Sequence, residues 1–208
     1  MKKILMLIMS CCLSGIVMAQ SVDDLINAVV DDDVRSMTKA VAIHGVNQQD
    51  KTGNSLLAIA AFEGSQRCFD ELMKMNPDVN IKNSAGDTPI MVAALKGEKK
   101  MVDALIKAGG ELNPEGWTPL IYAATNGHAD IAKLLLDGGA NIDATAPNGI
   151  TALMMAAKGG QQETVKLLIW KGANLNKKTE TGMTARKYAM ATKNTVIADM
   201  LTKAGATE

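Results

Sequence analysis

Two kinds of apolar pattern alternate along the chain. In one, alanine pairs recur, at Ala93-Ala94, Ala123-Ala124 and Ala156-Ala157. Alanine is the strongest helix former, and a pair of them keeps one helix face small enough for a neighbouring element to approach closely. In the other, apolar side chains are spaced by three and four, as at Ile131, Leu134 and Leu135 or Val165, Leu167 and Leu168, which is one buried stripe on an amphipathic helix. Punctuation falls between them. Thr88 and Thr118 stand where a side-chain oxygen can cap a helix, and Pro89 and Pro119 follow in the first turn, where a missing N–H costs nothing. Gly97, Gly127 and Gly160 end the alanine-rich helix, and Gly138-Gly139, Gly172 and Gly205 end the striped one. The pattern therefore predicts a run of short helices in pairs, each pair too small to bury its own apolar face.

The pairs repeat in register. GNSLLAIAAFEG at Gly53, GDTPIMVAALKG at Gly86, GWTPLIYAATNG at Gly116, GITALMMAAKGG at Gly149 and GMTARKYAMATK at Gly182 superpose, with spacings of 33, 30, 33 and 33 residues. A period of 33 with a T-P-L-x-x-A-A core resembles the ankyrin repeat, and residues 116 to 143 are close to that family's consensus. The resemblance implies an all-α ankyrin-repeat solenoid of paired antiparallel helices with short β-hairpin loops. Its units are 53–85, 86–115, 116–148, 149–181 and a C-terminal capping unit at 182–208, where Arg186 replaces the expected Leu and Lys193 the expected Gly. Residues 20–52 read as an atypical N-terminal cap, with helices near 21–30 and 34–44 and Asp33 as a cap. The shorter 30-residue step places GELNPEG where ANIDATAPNG stands elsewhere, so one finger is truncated before Gly116. Loop shortening of this kind is tolerated without consequence, and it also makes a notch that a partner could fill.

The N-terminus carries a different pattern. Lys2 and Lys3 precede an apolar run from Ile4 to Val17 and the triplet Val17-Met18-Ala19, the layout of a secretory signal peptide cut after Ala19. The run is shorter than the ~20 residues a membrane-spanning helix requires. Acylation at Cys11 or Cys12 is the rival, and Met9 and Ser10 make a poor lipobox for it. Removal of residues 1–19 leaves 20 basic against 22 acidic residues, a net charge of about −2, and one cysteine, Cys68. No intramolecular disulfide can form, so stability has to come from packing. A charge so near zero gives no footing for a phosphate backbone or an anionic membrane, and 3% aromatic residues leave no base-stacking platform.

Catalytic, metal and cofactor sites are not expected. The chain has no G-x-S-x-G, H-E-x-x-H, phosphate loop or G-x-G-x-x-G. His44 and His128 lie in different units, and His128 follows a helix-ending glycine, where an ankyrin histidine commonly bonds loop backbone. Met91, Met101, Met154, Met155 and Met200 fall in core registers and not in a soft-metal cluster. Cys68 shares the register of Met101, Ile131, Thr164 and Ile197, the place of a small buried hydrophobe. Asp31-Asp32-Asp33 lacks calcium-loop spacing and reads as a solvated turn.

The resemblance implies binding of another protein by loop tips and by the exposed face of the first helices. Those positions are Lys51, Asn54, Asp87, Glu115, Trp117, Asn148, Ile150 and Met183 at the tips, and Phe62, Glu63, Lys96, Thr125, Asn126 and Lys158 on the helices. Trp117 and Phe62 lead, because large aromatics dominate binding energy; Trp117 covering its own loop is the plain alternative, while Tyr122 and Tyr188 read as core. The expected function is that of a monomeric, exported, non-catalytic scaffold binding a periplasmic enzyme such as a catalase, in a Gram-negative host. An immunity protein against a secreted toxin, a cytoplasmic regulator and an enzyme with an unrecognised site stand as alternatives.

Overall fold

The computed structural model describes residues 21–207; the expected leader at 1–19 lies outside the described residues. Among the described residues twelve helices make six consecutive pairs: α1 (Val22–Val30) with α2 (Val34–His44), α3 (Leu56–Glu63) with α4 (Gln66–Lys74), α5 (Pro89–Lys96) with α6 (Lys99–Lys107), α7 (Pro119–Asn126) with α8 (Ala129–Asp137), α9 (Ala152–Lys158) with α10 (Gln162–Trp170), and α11 (Ala185–Ala191) with α12 (Thr195–Lys203). Each first helix packs on the first helices before and after it, and these contacts are closer than those between successive second helices. The alanine pairs explain the difference. Ala60, Ala61, Ala93, Ala94, Ala123, Ala124, Ala156 and Ala157 are fully buried between layers, where larger side chains would hold the helices apart. With the first helices nearer one another than the second, the stack is concave on the first-helix side.

The caps follow the residues that predict them, with one exception. Ser55, Thr118, Thr151 and Thr184 each accept a backbone N–H in the first turn. Thr88 occupies the same position, but its buried hydroxyl has no hydrogen-bond partner. The N-terminal cap begins with a reciprocal box in which Asp24 N–H donates to Ser21 Oγ at 3.0 Å and Ser21 N–H to Asp24 Oδ2 at 2.8 Å. Asp33 caps α2 as its position predicts, receiving the N–H groups of Arg35 and Ser36.

Two series of side-chain hydrogen bonds run between units. The residue after each first-helix stop reaches back to the end of the preceding first helix: Ser65 to the Val30 carbonyl, Gln161 to the Thr125 carbonyl and Asn194 to the Ala157 and Lys158 carbonyls. His128 does the same, with Nε2 3.3 Å from the Leu95 carbonyl. A carbonyl only accepts, so Nε2 carries the proton. Glu98 occupies this place in its own unit, and an ionised carboxylate has no proton to give. The second series joins the loops after the second helices. Asn47, Asn80, Asn113, Asp143 and Asn176 accept the N–H of Asp78, Glu111, Asn141, Asn174 and Thr207 in the following unit. These bonds satisfy helix-end carbonyls and loop amides that would otherwise lack partners.

Glycine is required at Gly97 and Gly127 for two reasons. Their φ angles are +87° and +78°, and a Cβ would meet the His128 ring at 2.8 Å and the Gln161 side chain at 2.2 Å. In the terminal units this left-handed position is held by Asp32 and Lys193, with φ of +53° and +61°.

Two expectations need correction. The loops form no strand ladder: each is a tight turn closed by two backbone bonds, the N–H of Asp50, Asn83, Ala146 or Thr179 donating to the carbonyl four residues on and its carbonyl accepting from the glycine N–H three residues on. Only Gln49 with Ser55 and Thr145 with Thr151 form isolated bridges among the described residues, because the chain enters the next helix before a second pair can form. The acidic run is not merely a solvated turn. Asp32 Oδ1 accepts the Cys68 N–H at 2.8 Å and Oδ2 accepts Arg67 Nε at 2.9 Å, which caps α4 from the preceding unit.

Two outcomes are expected. Lys193→Gly relieves a left-handed conformation that costs a side-chain-bearing residue roughly 1–2 kcal/mol, less the extra chain entropy of glycine, so it stabilises by about 0.5–1 kcal/mol in urea unfolding. Burial raises the Asp32 carboxyl, but the bonds from Arg67 and Cys68 outweigh it and hold it below the ordinary 3.8. Its stabilisation is therefore present above that value and lost as pH falls through the lower folded value. Thermal unfolding across that acid range should show a steeper loss for the native chain than for Asp32→Asn.

Candidate protein-binding face

Turns and first helices meet along the concave side, and the N-terminal half of that side holds a groove of about 410 Å³. Its floor is apolar, made by Ile26 and Val30 of α1, Ile59 and Phe62 of α3, and Val92 and Leu95 of α5. Its polar lining is acidic or neutral: Asp50, Asn54, Glu63, Asn83 and Asp87. Phe62 is 51% exposed, a large apolar side chain left uncovered where most of its kind are buried. Lys96 Nζ stands 4.1 Å from the centre of its ring, a cation–π contact at the rim of the groove.

The structure brings together Asn54, Phe62, Glu63 and Asp87 in this groove, and Asp87, Glu115 and Trp117 in a second, smaller recess of about 260 Å³. Asp87 borders both. Asn54 is largely engaged within the turns: its amide donates to Asp50 and Thr52, and its oxygen accepts from Asn83 Nδ2 at 2.8 Å. Lys51 points at Asp23 across 3.8 Å of exposed surface, a pairing worth little. Farther along the stack Thr125 donates to the Ile121 carbonyl and Asn126 to the Tyr122 carbonyl, so both fold back on their own helix. Asn148 supplies its carbonyl to the Glu180 N–H of the next turn. Ile150 is half-buried against the core, Met183 is half-buried, and Lys158 is exposed with its Nζ 5.9 Å from the Tyr188 ring. Of the predicted positions in the C-terminal half of the face, Lys158 is thus the exposed cation, and Ile150 and Met183 are half-buried.

Several lining residues escape a reading by register. Trp117 is half-buried, its ring 5.3 Å from that of Tyr122 and tilted by 34°. Tyr122 is itself only partly buried, and its hydroxyl donates to Asp87 Oδ1 at 2.7 Å, which places it on the binding side as well as against the core. Burial and the neighbouring Asp87 carboxylate both push the phenol well above its usual range, so it stays a donor at neutral pH. Asp50 and Asn83 organise the turns, each accepting two backbone N–H groups. An Asp or Asn at the first turn position, followed by Gly three residues later, is the signal that could have marked them. Trp170 is 74% exposed near the end of α10, on the second-helix side, with Lys171 Nζ 5.2 Å from its centre.

Cys68 is fully buried, and burial together with Asp32 pushes its thiol up to about 12, which leaves no thiolate at neutral pH. Among the described residues no three His, Cys, Asp or Glu side chains gather as metal ligands, and no helix is long and apolar enough to cross a membrane.

Comparison with known proteins agrees with this geometry. A family profile described as ankyrin repeats in three copies matches residues 57–146 and 139–207. No curated protein matches the chain. Ankyrin repeats are generic protein-interaction modules, and proteins built from them are characteristically non-enzymatic scaffolds. With layered helix pairs, inter-unit bonds at a fixed period and a profile match over most of its length, the chain belongs to the ankyrin-repeat family.

Proposed function

We propose that the mature chain is an exported, non-catalytic interaction protein that holds a periplasmic partner, such as a catalase, against its concave face. The observation that carries the reading is Phe62: half-exposed over an apolar groove, with Lys96 against its ring and Asp50, Glu63 and Asp87 in the same lining, it has the anatomy of a binding hot spot. Export is supported by Lys2, Lys3, the apolar run to Val17 and the Val17-Met18-Ala19 triplet. The partner surface this groove favours is apolar at its centre with basic groups opposite Asp50, Glu63 and Asp87, the three charged side chains that line it, while Lys96 over Phe62 supplies a cation at the rim. The same acidic lining favours a second reading, an immunity protein that blocks a basic secreted toxin.

The test is affinity purification of the tagged protein from periplasmic extract, followed by binding measurements with the partner so obtained. Phe62→Ala is expected to weaken binding about 10- to 30-fold while leaving the thermal midpoint nearly unchanged, as loss of an exposed hot-spot aromatic should. Unaltered affinity in that variant would remove the concave face from the reading. Full-length protein recovered from the cytosol would remove export. Sensitivity of a deletion strain to toxin delivered by sibling cells separates the immunity reading from the scaffold.

A further inference from the structure

The shortened unit leaves a gap in the row of turns. Elsewhere adjacent turns bond to one another, Ser84 N–H to the Thr52 carbonyl at 3.0 Å and Glu180 N–H to the Asn148 carbonyl at 3.3 Å. Between the turn at Asn83–Asp87 and the turn at Ala146–Ile150 there is only Pro114-Glu115-Gly116. The deletion falls after Asn113, so the inter-unit bonds of Asn113 to Asn141 and to the Gly139 carbonyl survive it. Only the tip is lost.

What the gap exposes has a specific chemistry. The recess runs from Ala85 to Pro147 and is lined between them by Asp87, Glu115, Trp117 and Tyr122. Trp117 and Tyr122 supply two tilted aromatic rings, and Asp87 and Glu115 supply two carboxylates. Among the described residues neither carboxylate has a Lys, Arg or His within ion-pair distance, and none of the lining residues is basic. Asp87 Oδ1 is taken by the Tyr122 hydroxyl, which fixes the carboxylate beside the rings. A sphere of 260 Å³ is about 8 Å across, narrower than the ~10 Å of a helix with its side chains, so the space suits one side chain.

We propose that this recess receives a single arginine side chain from the partner protein, its guanidinium stacked on Trp117 and paired with Asp87 and Glu115. A planar, weakly hydrated cation with a fork of donors is the group that suits an aromatic wall and two carboxylates at once. A lysine ammonium matches the charge but neither the stacking nor the fork. The proposal rests on the protein-binding reading above and names the chemistry of one anchor within it.

The test uses 1H–15N spectra of the protein as isolated, in which the indole N–H signals of Trp117 and Trp170 report separately. The probe is an acetyl-Gly-Arg-Gly-amide peptide, with its citrulline counterpart as a neutral isostere. The expected result is a saturable shift of the Trp117 indole at millimolar peptide, no saturable shift at Trp170, and at least threefold weaker binding of the citrulline peptide. The paired substitution Asp87→Asn with Glu115→Gln should weaken the arginine peptide about tenfold through loss of both charge-assisted contacts. Folding is preserved in that variant because the amide oxygen introduced at 87 still accepts from Tyr122. No saturable Trp117 shift, or equal binding of the two peptides, overturns the proposal. Failure of the wider reading would look different. A partner whose binding depends on Phe62 but ignores the paired substitution removes the arginine anchor alone, whereas peptide binding with no partner protein captured removes the scaffold and leaves the recess.

Discussion

Contact between neighbouring units is the constraint on which the rest of the structure depends. No pair of seven- to eleven-residue helices like these is stable alone in water, since helices shorter than ~12–15 residues are marginal there. Each pair here gains its stability by laying an alanine-lined face on the next pair, with Ala93, Ala94, Ala123, Ala124, Ala156 and Ala157 at zero exposure. The inter-unit hydrogen bonds of Ser65, His128, Gln161 and Asn194 on one side and of Asn47, Asn80, Asn113, Asp143 and Asn176 on the other set the spacing of the layers. Because each bond joins a side chain to a backbone group at a helix end or loop, it recurs with the period only where the residue at that position can supply the partner, and the first series is interrupted at Glu98.

That division of labour frees the concave side. Residues that hold the stack point between units or into the turns, so positions such as Phe62, Glu63 and Glu115 carry little of the folding energy and can serve a partner. The 30-residue unit uses the same freedom. Its missing tip forgoes the turn-to-turn bond found elsewhere but keeps both Asn113 bonds, and it uncovers Trp117 and Tyr122 beside two carboxylates. A change in loop length that is nearly neutral for the fold thus changes the chemistry of the surface.

Periodicity made most of the fold legible in the sequence. The glycine register, the Thr-Pro starts and the three-four apolar stripe mark helices that the structure shows, including α1 and α2 in the divergent first unit, because each signal reflects a local backbone requirement. What was not legible depends on distances between units. Asp32 reads as one of three solvated acids, and only the fold puts it against the α4 N-terminus and Arg67. Tyr122 reads as core by register, but a half-buried tyrosine places its ring on one side of a boundary and its hydroxyl on the other. The recess draws on three successive units, from Ala85 to Pro147, so no window of one repeat could reveal it. The hairpin expectation failed for a simpler reason, that turns entering a helix at once leave no room for a ladder.

A stack held by neighbours has a graded stability, since inner pairs have two and end pairs have one. Native-state amide hydrogen exchange measures that gradient directly. Protection is expected to peak in α5, α7 and α9 and to decline toward α1 and α12. Uniform protection along the chain, or a maximum in either terminal pair, would contradict the account.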